Sequence, residues 1–170
     1  MPFDAAAHAA VLQAELQKAA PGMHVDLDPG PDLAALSFVH PAHEATVLVV
    51  VEGPAAHVPM PTVLVAVVIG DWNDLRSRPD GGAAMFALNS RLMAGAIGLL
   101  PLNQDELAVA VCRRVPVDAL PPGLLTGLVD DLIWDYARCS GWTDRGNQGA
   151  APRSDLEPPR RRIITSLDEV

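Results

Sequence analysis

Two histidines three residues apart, His40 and His43 in the run His-Pro-Ala-His, are the first residues whose types and spacing suggest chemistry. On a helix that spacing would put both imidazoles on one side, where they could share a metal ion. Pro41 instead sets the segment at a loop or strand end, and no nearby cysteine completes a ligand set. The pair reads as turn residues facing solvent. Asp130, Asp131 and Asp135 are a second cluster. Paired carboxylates do acid–base work when their surroundings split their pKa values. Placed opposite an apolar helix face, these three read as solvated surface. Cys112 is followed by Arg113 and Arg114, and neighbouring cations lower a thiol's pKa. In a strand, however, adjacent side chains point to opposite faces, so Cys112 reads as a core cysteine. Gly81-Gly82 precedes a helix and offers amides to an anion, but Asp80 beside them opposes one, and a turn is the simpler reading. Neither a phosphate-binding glycine motif nor a Gly-x-Ser-x-Gly elbow is present. The sequence therefore carries no expected catalytic, cofactor or metal site.

The residues that suggest binding are of other types. Trp134, Tyr136 and Trp142 fall near the end of the last predicted helix; they either plug the core or anchor an interface, where aromatics are enriched. Near the C-terminus, Pro158-Pro159 leads into Arg160, Arg161 and Arg162, then Ile163 and Ile164. A basic run followed by apolar residues in a polar segment has the character of a docking motif that folds on its partner. Asn89 lies on an otherwise apolar helix. Its amide must find hydrogen-bond partners, and a bond across the fold that fixes register is the expected role.

The elements that hold these residues follow from composition and periodicity. A length of 170 residues allows one domain with a substantial core. Only 4% of residues are aromatic, so that core is aliphatic. The net charge of −9 argues against a nucleic-acid partner and favours basic ones. Cys112 and Cys139 are too few for a disulfide framework and are expected as reduced, buried thiols. The start, Met1-Pro2-Phe3-Asp4, has neither a basic region nor a following apolar one, so no signal peptide is expected. The apolar runs 46–51 and 63–69 fall far short of the roughly 20 residues that span a bilayer.

Along the chain, Asp4 to Ala20 predicts a helix capped by Asp4, with Val11, Leu12 and Leu16 on its apolar stripe and Pro21-Gly22 as its stop. Strands are expected over 23–27, 33–39, 45–51 and 62–69. The third is apolar on both faces, as a central strand is. Pro59 and Pro61 suggest that the fourth is an edge or enters the sheet late. A polar loop over 70–82 holds one helical turn near Trp72, and a helix follows to about Ala94, with Met85, Leu88 and Leu92 on one face. Strands over 96–102 and 106–115 form a hairpin across Asn103-Gln104-Asp105. Pro121-Pro122-Gly123 opens the last helix, whose broad apolar face includes Leu124, Leu125, Leu128, Val129, Leu132, Ile133 and Tyr136. After Trp142 five acids and five arginines cancel, and residues 143–170 are expected as a disordered or weakly ordered tail beyond a domain of residues 1–142. The fold class is α+β: helix, three or four antiparallel strands, helix, two strands, helix.

The stretch Leu88-Asn89-Ser90-Arg91-Leu92, the glycine-rich exit, the hairpin of 98–115, the link Val-Pro-Val-Asp-Ala-Leu-Pro and the apolar final helix resemble the type III secretion chaperone-like superfamily, which includes CesT-type chaperones and YbjN-like proteins. The resemblance implies a cytoplasmic, usually dimeric, non-enzymatic protein, expected as a homodimer, that holds an extended segment of another protein such as a secreted effector on sheet edges and apolar patches. It transfers no functional residue. The alternative reading is an assembly subunit of a larger complex, tethered to a complex subunit through its C-terminal tail.

Overall fold

The computed structural model describes residues 3–55, 58–102 and 106–143, the last four of these by backbone only. The chain forms α1 (Ala5–Ala19), β1 (Val25–Asp28), β2 (Leu33–Val39), β3 (Thr46–Glu52), β4 (Thr62–Asp71), α2 (Trp72–Arg76), α3 (Gly81–Asn89), β5 (Ala96–Pro101), β6 (Leu107–Pro116) and α4 (Leu124–Thr143). The six strands make one sheet in the order β1-β2-β3-β4-β6-β5, antiparallel throughout. The expected α+β class and element order hold, with four strands rather than three before the second helical region.

Local chemistry sets the helix ends. The Asp4 carboxylate accepts the Ala7 N–H at 3.0 Å and caps α1, and Gly22, at φ 94°, turns the chain out of it. The stripe of α1 is shifted from the expected one: Ala5, Ala9, Leu12 and Leu16 are buried, whereas Val11 is exposed. Asp71 caps α2 by accepting the Asn73 N–H. The strand that begins after Pro61 is not an edge. It lies between β3 and β6, and because its prolines stop before Thr62, every residue of β4 keeps its N–H for the ladder.

Strand alternation sorts the sheet into two unlike faces. One carries Leu36, Phe38, Val47, Val49, Val51, Val63, Val65, Val67, Val109 and Val111, all in the main core with Leu12 and Leu16 of α1, Leu75 of α2, Leu88 of α3 and Leu125, Leu128, Val129, Leu132 and Ile133 of α4. The other carries a separate cluster made of strand residues and Leu102: Leu48, Ala66 and Ala110 are buried, and Val68, Leu100, Leu102 and Cys112 pack around them. No described helix contributes a side chain to this second cluster. The described fold is thus two layers, with the described helices on one side of the sheet.

A candidate protein-binding face

The bare face can be read row by row from the register. Ser37, Leu48, Ala66, Cys112 and Ala96 stand side by side across β2, β3, β4, β6 and β5. Val50 and Leu64 pair in the next row, beside Arg114, and Val68, Ala110 and Gly98 form the row on the other side. The middle of this face has no charged residue. At one end Arg114 pairs with Glu52, and Thr62 hydrogen-bonds to both. Val50, Leu64, Val68, Leu100 and Cys112 remain partly exposed. In an antiparallel sheet a solvated face alternates polar against the apolar core face; here the second face is apolar over its centre, with Asp26 and Asp28 along its β1 side.

The sheet edges, by contrast, are partly shielded. The Asn89 Oδ1 accepts the Ile97 N–H at 2.6 Å, so that N–H points away from β6. Alternation aims the Leu99 N–H outward as well, while Pro101 has none to offer. The β5 edge therefore presents little for an added strand to pair with. On the opposite edge, the Gln13 side chain donates to the Val25 carbonyl at 2.8 Å. β1 is only four residues long and carries Asp26 and Asp28. The Asn89 bond is local, to a residue eight positions on, rather than across the fold as expected, and it shields an edge.

Asp135 departs from its expected place among the solvated acids. Its side chain is buried, one turn of α4 beyond Leu132 and one before Cys139. Its carboxylate accepts backbone N–H bonds from Met93, Ala94 and Gly95 at 2.8–3.2 Å. This explains why α3 stops at Asn89 rather than near Ala94: residues 93–95 turn their amides onto Asp135. A Cβ on Gly95 would come within 2.5 Å of Leu132 and 2.9 Å of Val111, so only glycine fits there. Asp130 and Asp131 are exposed, as expected.

His40 also differs from the solvent-facing expectation. It is mostly buried in a cleft of about 170 Å³ with Leu16, Met23, Phe38 and Val129, its Nε2 3.9 Å from Asp130 and its ring centroid 5.5 Å from that of His43, the two rings tilted. Burial, with help from His43, lowers its pKa against the pull of Asp130. Its Nδ1 is buried with no partner among the described residues. Thr126, the hydroxyl in this cleft, donates to the Gly123 carbonyl instead. Among the described residues no three His, Cys, Asp or Glu side chains come together as a metal site. A second hollow, beside Ile69, Asp71, Asp74 and Leu75, has Asp71 engaged as the cap of α2.

The expected core position of Cys112 is corrected: it lies half-buried on the bare face, and burial raises its pKa. Cys139 is buried, its pKa raised by burial and by Asp135. Both thiols are free.

The aromatic residues do not act as one group. Trp134 is 72% exposed, whereas Tyr136, two positions on and so across the helix, packs against the core. Trp142 belongs to α4, and its side chain lies outside the described residues, as do Arg160, Arg161, Arg162, Ile163 and Ile164. Phe86 and Met93, which the sequence did not single out, are 83% and 84% exposed. The bond from the Met93 N–H to Asp135 places Met93 beside the turn of α4 that bears Trp134.

The sequence matches no family model and no curated protein. Among the described residues, no helix is long and apolar enough to cross a membrane.

Proposed function

We propose that this protein is a non-enzymatic protein-binding module, chaperone-like or adaptor in character, and that the bare sheet face is its working surface. One observation carries the reading: a sheet whose second face is apolar across β3, β4 and β6, uncharged at its centre, and covered by no described helix. Contiguous apolar surface of that kind marks a site where another macromolecule packs. The shielded edges direct the partner to the face rather than to an added strand. Trp134 and Met93 provide a second apolar exposure on the helical side. The element order is compatible with the type III secretion chaperone-like fold, in which a cytoplasmic homodimer holding another polypeptide is the expected mode.

The test is a single charge on the face. Leu64→Lys in the full chain should keep a native circular dichroism spectrum and lose the protein that co-purifies with the wild type. Val11→Lys, on the exposed side of α1, should keep it. Retention by Leu64→Lys of all that the wild type binds would overturn the proposal.

A further inference from the structure

We infer that residues 158–170 of this chain dock on the β1–β3 side of the bare face as a short amphipathic helix, with Arg160, Arg161 and Arg162 against Asp26 and Asp28. The β4–β6–β5 side, which holds Cys112 and Leu100, stays open to the partner proposed above, and the inference stands without that partner.

The receiving surface has an acidic flank and an apolar floor. Val25 and Leu27 of β1 join the core, so alternation puts Asp26 and Asp28 on the bare face. The register sets Asp26 in the row of Ser37 and Leu48, and Asp28 in the row of Ala35 and Val50. Leu48 and Ala35 are only 3% and 6% exposed and form a closed, shallow floor. Val50 is partly exposed, and Leu33 and Val39, at the two ends of β2, are exposed. Asp26 lies 2.8 Å from the exposed His24 imidazole, while Asp28 is exposed and joins no ion pair among the described residues. Across the sheet the charge is cancelled, because Arg114 is held by Glu52. Uncancelled acids on one flank select an occupant with cations at that flank.

The occupant must also bring its own backbone hydrogen bonds, since the N–H and C=O groups of β2 and β3 are spent in the ladders. An amphipathic helix does so. In the C-terminal sequence Ile163, Ile164, Leu167 and Val170 recur at i, i+1, i+4 and i+7, the spacing of one helix face. Pro158-Pro159 stands where a first turn tolerates proline. Arginines in a first turn oppose the helix dipole, and carboxylates beside that turn offset them. The helix is therefore disfavoured alone and favoured on Asp26 and Asp28.

Charge and reach point to the chain's own segment. After Trp142 acids and arginines cancel, so the net charge of −9 sits on the residues before it and attracts the arginine run. The 14 residues 144–157 extend to about 46 Å. A domain of this size has a radius of gyration of about 14 Å, so the segment can pass from the end of α4 round to the bare face. A linker of that length gives an effective concentration on the order of mM, which sets this segment ahead of a free competitor.

The test places a photo-cross-linking residue at Val50 of the full chain, with isotopically light and heavy protein mixed at high dilution. The expected adduct joins position 50 to peptides containing residues 160–170 of the same chain, light to light and heavy to heavy. Asp26→Lys with Asp28→Lys should cut its yield about fivefold. Adding Arg160→Glu, Arg161→Glu and Arg162→Glu to that variant should restore it. Adducts of 160–170 that join light to heavy chains would overturn the inference, because the segment would then belong to a second copy. No adduct to 160–170, or a yield that the charge reversal leaves unchanged, would overturn it as well. Should the substitution at 50 disturb folding, the same residue at the exposed Val39 reads the same side of the face. The Leu64→Lys co-purification reads the partner independently of all these results.

Discussion

Replacing Asp135 by alanine removes one acceptor from three donors. The N–H groups of Met93, Ala94 and Gly95 all end on its carboxylate, which is 2% exposed, and no described neighbour stands ready to replace it. A buried donor left without a partner costs about 1–3 kcal/mol. Met93 is itself at the surface, so its amide can rehydrate, and the three together should cost about 3–5 kcal/mol. That is a large share of the roughly 5–15 kcal/mol that holds a typical domain. It should lower the melting temperature by roughly 10–20 °C for a domain of this size. Asp135→Asn keeps one acceptor oxygen and should lose roughly half as much. Asp131→Ala, on the exposed side of α4, should stay within about 0.5 kcal/mol of the wild type. Urea denaturation of the three variants gives the free energies, and amide exchange at 93–95 localises the change. A loss below about 1 kcal/mol in Asp135→Ala, with exchange at those amides unchanged, would refute the assignment.

Other consequences are simpler. Asn89→Ala should cost about 1 kcal/mol and speed exchange of the Ile97 amide, because the edge of β5 loses its bound acceptor. His40 is held below its ordinary value of 6.5, chiefly by burial, so its contribution to stability is complete above that pH. It is lost as pH falls toward the lowered folded value, because the unfolded chain takes up the proton first. His40→Phe should therefore show a shallower loss of melting temperature on acidification than the wild type; parallel curves would contradict this. Trp134→Ala should leave stability within about 0.5 kcal/mol, as an exposed side chain does, and weaken any partner that engages the helical side.

Much of the fold was legible because it rests on short-range signals. Asp4 as a cap, the run Leu33–Val39 and the doubly apolar β3 each announce themselves within a few residues. What misled was long-range. The prolines before Thr62 mark where a strand begins but say nothing of its neighbours, and β4 is central. Asp135 was grouped with Asp130 and Asp131 by type, although its place between Leu132 and Cys139 put it on the buried stripe. Its partners lie some 40 residues away in sequence, so no local pattern names them. The bare face was hidden for a related reason: alternation shows which residues share a face, not whether a helix covers it.

Cys112 supplies a native probe of that face, with Cys139 as a buried reference in the same chain. The decisive measurement is the alkylation rate of each thiol, read by mass spectrometry, in native lysate and in dilute purified protein. If the sheet face is a protein-binding surface, Cys112 is protected in lysate and reacts on dilution, while Cys139 stays slow in both. Equal Cys112 rates in the two conditions would contradict the account.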